Sequence, residues 1–450
     1  MKLPDEAQSI LSQFYVSEDR LRKISDQILE EFRLGLNKGR PASSMAMIPT
    51  FLPELPTGSE SGKFVAIDLS GKNLRIMLLH LPGNGEPLQK VNDNFMIHQD
   101  VMTGTGDQLF NFIVNCLAKF LKERGLQDEE IPIGFVFSYP CELHSIRSAR
   151  LLWWTKGFNV QDCLQQDVVK LLEDALELNM SVKARVSAVM NDTVAQLAAS
   201  AYHHGADCMM GVVIGYGCNA SYLEEVGAVR KFDAAKANYP YPRMVVDTEW
   251  EEFGIKGELN DILTSFDKEV DEASVHKGRQ YVDKLCGALY LGDLVRRVLC
   301  QLVVDGVLFG GQTVEALQHP DSFPTKYISE ILSDEERTHF NRTRRILDEL
   351  QVPLHGSADY LILRELAYAV TARSAAIAAA AISALLKHMQ KARVVIGVGG
   401  ALVQFHPTYM DILQEKLEAI APDGVEFKLE PEYSGIGAAL VAAVATKLKL

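Results

Sequence analysis

The pattern that most limits what this chain can fold into is a strand, a short polar turn and a second strand. It runs from Phe64 to Leu79 as FVAIDLSGKNLRIMLL and returns about 150 residues later, from Met210 to Glu225, as MGVVIGYGCNASYLEE. Each copy is an apolar run, a turn carrying Gly and Asn, and a second apolar run, which reads as a hairpin. Two such hairpins in one chain suggest duplicated halves facing one another across a cleft. Around them strands and helices interleave. Helical spacing covers Asp5 to Lys38 as one or two amphipathic helices, then Gly106 to Arg124, Asp162 to Leu178, Thr193 onward, Leu361 to Met389, Tyr409 to Ile420 and Gly437 onward. Further strands fit Asn92 to Gln99, Ile131 to Pro140, Val186 to Met190 and Val394 to Gly400, whereas Met47 to Lys63, with three prolines, reads as an irregular crossing segment. Interleaving of this kind indicates an α/β fold.

The chain has 450 residues, enough for two or three domains at roughly 150 residues each. Its net charge of −14 disfavours nucleic acid and anionic membrane as partners, because both need a basic face. Seven scattered cysteines form no CxxC and no His/Cys cluster, which argues for reduced thiols and against zinc. His203-His204 reads as a pair at a helix end rather than a metal site. The longest apolar run, Ser374 to Leu386, is mostly alanine and too short to cross a bilayer, so it reads as a buried helix without a membrane anchor. The start, MKLPDEAQSI, has neither a signal-peptide nor a transit-peptide character, so the cytoplasm is the expected address, and a monomer is the plain expectation for a single unit of this size.

Ser70-Gly71-Lys72 invites comparison with a phosphate-binding P-loop, but Ala66 stands where the first Gly is required, Asn73 replaces Ser/Thr, and a strand follows instead of a helix. A hairpin turn can still offer backbone N–H groups to an anion, and Asp68 at its start can hold Mg2+ through water. Phosphoryl transfer to an alcohol needs a carboxylate base, a cation for developing phosphate charge, and Mg2+ on the nucleotide. Four further segments carry suitable groups at strand ends or loops: Phe137-Ser-Tyr-Pro140, Trp154-Thr-Lys-Gly-Phe158, Met190-Asn-Asp-Thr-Val194 and Val246-Asp-Thr-Glu-Trp250. Taken singly each has a plain reading: Asn191 as a helix cap, the indole of Trp154 as packing, Glu249 as a solvated acid.

The ordered set LPTGSESGKFVAIDLSGKNLRIMLL, GFVFSYPCE, WTKGF, VMNDTV, IGYGCNASYLEE, DTEWEEFG, LYLGDLVRRVL, LFGGQT and SGIGAALVAAV resembles the hexokinases, including glucokinase, over nearly the whole chain. That resemblance implies an actin-like, ribonuclease-H-like duplicated α/β fold, with residues 1–64 and 193–435 as a large lobe and 65–192 and 436–450 as a small lobe. It implies ATP- and Mg2+-dependent phosphorylation of a hexose (glucose, with fructose or mannose) at its 6-hydroxyl, the first step of glycolysis. Asp192 would be the base, with Lys156 and Arg75 beside the moving phosphoryl group. Ser138, Thr155, Lys156, Asn191, Asp192, Asn219, Glu249, Gln280 and Asp283 would hold the sugar. Asp68, Gly71, Lys72, Asn73, Gly215, Tyr216, Gly217, Ser333, Gly400 and Ala401 would line the nucleotide site, with Asp68 serving Mg2+.

Departures from the family pattern fall mainly on the nucleotide side. Ser70 and Lys72 stand for Gly and Thr in Asp-Leu-Gly-Gly-Thr-Asn, and Tyr216 for Thr in Gly-Thr-Gly. Ser333-Asp334-Glu335-Glu336 replaces Ser-Asp-Thr-Gly, Gly399-Gly400-Ala401 replaces Asp-Gly-Ser, and Tyr433-Ser434-Gly435-Ile436-Gly437 replaces Gly-Ser-Gly-Arg-Gly. On the sugar side, Asp283 shortens a Glu and Tyr139 replaces a Phe. The lopsided pattern leaves a second class open, a hexose-binding sensor or scaffold with weak or lost kinase activity.

Overall fold

The computed structural model describes residues 3–69, 71, 73–83, 87–155, 157–179, 181–334, 339–421 and 423–450. In chain order the strands are β1 (Ile48–Pro49), β2 (Ser61–Leu69), β3 (Asn73–Pro82), β4 (Gln89–Met96), β5 (Ile131–Phe137), β6 (Cys141–Ser145), β7 (Ser148–Leu151), β8 (Ala184–Met190), β9 (Cys208–Ile214), β10 (Cys218–Glu225), β11 (Arg243–Asp247), β12 (Val394–Gly399) and β13 (Val425–Leu429). They form two large sheets built alike. One has the order β4-β3-β2-β5-β8, the other β1-β11-β10-β9-β12-β13. In each, a meander of antiparallel strands is continued by two parallel ones: β2 pairs β3 antiparallel and β5 parallel, while β9 pairs β10 antiparallel and β12 parallel. The two hairpins read in the sequence are thus the same element of a duplicated fold. A small hairpin, β6 with β7, stands apart.

The helix Asp192–His204 covers β9, β10 and β12, the helix Tyr433–Leu448 covers β2, β5 and β8, and the two helices pack on each other between the sheets. Their approach is set by small residues. A Cβ placed on Gly437 would lie 1.9 Å from the Ala195 carbonyl oxygen, so only glycine permits this crossing. The obstacle is backbone and cannot rotate away. Gly437→Ala is therefore expected to destabilise the chain by about 3 kcal/mol, the upper end for overpacking, as a lower midpoint in urea unfolding; an unchanged midpoint would contradict this packing.

Several boundaries differ from the sequence reading. Of the one or two helices read in the first segment the structure has two, Asp5–Ser12 and Glu18–Lys38, the second capped by the Ser17 side chain, which accepts from Arg20 N (3.3 Å). The helix expected from Asp162 begins only at Val168, capped by Asp167 Oδ1 on Val169 N (2.9 Å). Asp162 instead accepts from Gly106 N (2.9 Å) at the start of the helix Gly106–Lys122. The last helix opens at Tyr433 rather than Gly437. The alanine-rich helix is longer than read, Ser357–Met389. It holds an 18-residue window of mean hydropathy 1.7, so by length and composition it could span a membrane, contrary to the count made on the alanine run alone; 89% of that window is buried inside the protein.

Candidate active site

The first hairpin sets Asp68 and Arg75 side by side across β2 and β3. Asp68 is only 7% exposed. Its Oδ2 accepts from the Ser434 hydroxyl, at the start of the helix Tyr433–Leu448, while its Oδ1 is buried with no hydrogen-bond partner among the described residues. Arg75 donates from Nε to Asn94 Oδ1 (3.2 Å). Gly71 and Asn73 lie in the turn, Asn73 exposed. Ser70 and Lys72 lie outside the described residues.

At the carboxyl end of β8, Asn191 accepts on Oδ1 from Thr193 N (3.0 Å) and caps the helix that begins with Asp192. The plain reading of Asn191 as a cap is therefore correct as far as it goes, and the cap turns Asp192 out at the helix's positive end. Thr193 Oγ1 meets Ser221 Oγ (2.6 Å) and donates to Asp247 Oδ1 (3.3 Å). Asn219 donates from Nδ2 to Asp247 Oδ1 (2.8 Å) and Glu249 Oε1 (3.4 Å), and its Oδ1 accepts from Thr248 Oγ1 (3.0 Å). Glu249 is no freely solvated acid: it sits at φ 51°, a left-handed conformation, half-buried at the head of a short turn. Burial, then the Glu249 charge, push the Asp247 carboxyl well above the usual carboxylate range, with Asp192 adding to the same effect. Burial and Glu249 likewise raise Glu251, with a contribution from Asp283. The site is thus rich in carboxylate and amide oxygens drawn from several elements.

Ser138 and Tyr139 are buried just past β5. The Tyr139 ring lies edge-on to Trp154 (centroids 4.9 Å apart), and Trp154 stacks on Phe158 (5.4 Å), which anchors the loop bearing half-buried Thr155. Lys156 falls outside the described residues. Asn191, Asp247 and Glu249 line one cavity with Tyr139 and Met190. Asp283 accepts on Oδ1 from Cys218 N (2.7 Å), tying it to the second hairpin turn, and Gln280 precedes its helix at φ 55°.

In that turn Gly215 N donates to Gly217 O (2.9 Å), while Gly215 O and Tyr216 O accept from Ala288 N (2.8 Å) and Leu289 N (3.3 Å). The Tyr216 side chain is 69% exposed. Gly400 and Ala401, after β12, pack against Gly215. Ser333 is turned back on its own helix, donating to Ser329 O (2.7 Å), and Asp334 caps the helix Asn341–Glu349 through Thr343 N (2.7 Å). Glu335 and Glu336 lie outside the described residues. Sequence reasoning missed Asp247, the hydrogen-bond hub that accepts from both Thr193 and Asn219, although it stands in the quoted run DTEWEEFG; nothing in a run of four acids says which is buried.

Two family models, each described as hexokinase, match residues 6–202 and 209–444. The chain belongs to the hexokinase family. It is 42% identical to a hexokinase of Brugia malayi over 449 residues, which is 99% of this chain and 78% of that protein. It is 36% identical to hexokinase HKDC1 of Mus musculus over 98% of this chain but only 48% of that one, so it spans about half the length of several hexokinases it matches. The structure of a Schistosoma mansoni hexokinase complexed with glucose superposes with a TM-score of 0.90 at 34% identity, covering 98% of both chains. The two-lobed α/β architecture is accordingly that of hexokinases.

Proposed function

We propose that the chain phosphorylates a hexose at its 6-hydroxyl, using MgATP, in the cleft between its two sheets. The observation that carries this is the hydrogen-bonded set Asn191, Asn219, Asp247 and Glu249 beside Asp192, together with buried Asp68 and its half-buried cross-strand neighbour Arg75. A site dense in acceptors satisfies sugar hydroxyls and rejects analogues that lack one. Asp192 takes the proton from the 6-hydroxyl as that oxygen forms its bond to the γ-phosphorus and the bond to the ADP oxygen breaks. Arg75 faces the phosphate charge. The unpartnered, buried Oδ1 of Asp68 fits a hydrated divalent cation, a hard ion that prefers oxygen. Mg2+, when bound, neutralises phosphate charge. Lys156 and Thr155, with Ser138, Gln280 and Asp283, complete the sugar set in this reading; Gly71, Asn73, Gly215, Gly400 and Ala401 serve the nucleotide. The lobes are 1–64 with 193–435 and 65–192 with 436–450, and closing them over the sugar excludes water as a competing acceptor. Glucose is the first substrate to try, with fructose and mannose beside it, and the cytosol is the place proposed for the reaction.

A coupled assay with glucose and MgATP is expected to yield glucose 6-phosphate. The second reading, a hexose sensor, is favoured by the outward Tyr216 ring in the second turn. Glucose binding without turnover would support the sensor and overturn the kinase.

A further inference from the structure

We propose that Tyr433 presents its phenol hydroxyl to the nucleotide's phosphate oxygens, as a hydrogen-bond donor supplied from the start of the helix Tyr433–Leu448. This rests on the reading that the cleft takes MgATP. The ring packs on Gly399 and its helix start is tied down by the next residue. A Cβ placed on Gly399, at the end of β12, would lie 2.5 and 2.7 Å from ring atoms Cδ1 and Cε1, so tyrosine at 433 and glycine at 399 form a matched pair. The next residue, Ser434, donates to Asp68 and ties this helix start to the first hairpin. The ring therefore lies against the residue that precedes Gly400 and Ala401 of the proposed nucleotide set, and the hydroxyl feels the charges of Asp192, Asp68 and Arg75.

Burial first, then the Asp192 and Asp68 carboxylates, hold its proton on well above the ordinary tyrosine range, while Arg75 acts weakly the other way. The hydroxyl is consequently a donor throughout the neutral range. No hydrogen bond among the described residues uses it. A phenol that keeps its proton, with no acceptor engaged among the described residues, has a hydrogen bond to give an oxyanion, and the nearby Arg75 supplies the attractive charge that the two carboxylates do not. It also answers a loss elsewhere. The second turn carries Tyr216 with its side chain turned to solvent in place of a threonine, so that turn offers the phosphates no side-chain hydroxyl. Tyr433 delivers one from a different element.

Tyr433→Phe keeps the ring on Gly399 and removes only the hydroxyl. Its kcat/KM for MgATP is expected to fall roughly 10- to 150-fold, the range for a hydrogen bond to a charged group. The KM for glucose and the unfolding midpoint should stay at their wild-type values, which a merely structural role would not allow. MgADP affinity, measured by calorimetry without any turnover, should fall in parallel. Unchanged or tighter MgADP binding by Tyr433→Phe overturns the proposal, as does failure of the wild-type chain to bind MgADP at all. If the wild-type chain binds MgADP, the variant binds it at least about 10-fold more weakly and neither turns over glucose, the hydroxyl's role stands and the kinase reading falls.

Discussion

Asp192→Asn is expected to lower kcat for glucose phosphorylation by about 10²- to 10⁴-fold, the usual contribution of a positioned general base. The variant keeps the shape of the side chain and its place as the first residue of the helix after the Asn191 cap. What it loses is the ability to take a proton. Asn219 remains bonded to Asp247 and Glu249, so the oxygens of the proposed sugar site keep their geometry. Glucose affinity, followed by tryptophan fluorescence, is thus expected to change little while turnover collapses. That split is the informative result: equal loss of binding and turnover would mean that Asp192 holds the sugar rather than moving a proton, and undiminished turnover would remove it from the mechanism.

The largest effect on stability is expected at a buried ion pair that takes no part in the proposed chemistry. Arg373, on the long helix Ser357–Met389, has a fully buried side chain that donates from Nη1 and Nη2 to Asp267 Oδ2 and Oδ1 (2.8 and 2.6 Å), with its guanidinium over the Phe14 ring at 4.7 Å. Asp267 also accepts from Thr264 N and Thr264 Oγ1, both at 2.7 Å. Asp267→Ala would leave a buried cation without its counter-charge, at a cost of about 3–5 kcal/mol. Asp267→Ala combined with Arg373→Met should recover much of that loss, since a buried pair replaced by apolar groups is often close to neutral. Burial alone would raise the Asp267 carboxyl, but the Arg373 charge and the hydrogen bonds outweigh it and hold it below the usual range. Its stabilisation is therefore present above the unfolded carboxylate pKa of about 3.9 and is lost as pH falls through the lower folded value. In the double variant that contribution to acid unfolding should be absent, which urea melts at pH 3 and pH 7 would reveal.

The duplicated hairpins were legible because alternation of apolar residues around a Gly/Asn turn is a local signal, and both turns carry it. Asn191 was legible as a cap for the same reason. The helix start was put at Asp162 rather than Val168 because Cys163 and Leu164 prolong the apolar spacing; only the fold brings Asp162 to Gly106. β11 and β13 were missed although both belong to the second sheet, β13 at its edge with every residue only partly buried or exposed, so it lacks a buried run to read. The importance of Asp247 and Tyr433 depends on contacts between segments far apart in the chain. Composition and spacing carry no trace of the ring of Tyr433 lying on Gly399.

The crossing of the two central helices has one more consequence. Where Gly437 meets Ala195 the backbones touch so closely that neither can slide, and the residues heading these two helices are Asp192 and Tyr433. A contact of this kind works as a fulcrum. In the proposed closure the sheets would turn about it, and because displacement grows with distance the outer rims of the cleft would sweep widely while the groups next to the pivot hardly move. If the proposed lobe closure takes place, gate and chemistry would be decoupled: the mouth would open and shut while the proposed proton acceptor, Asp192, and the helix start at Tyr433 stay in place beside the pivot.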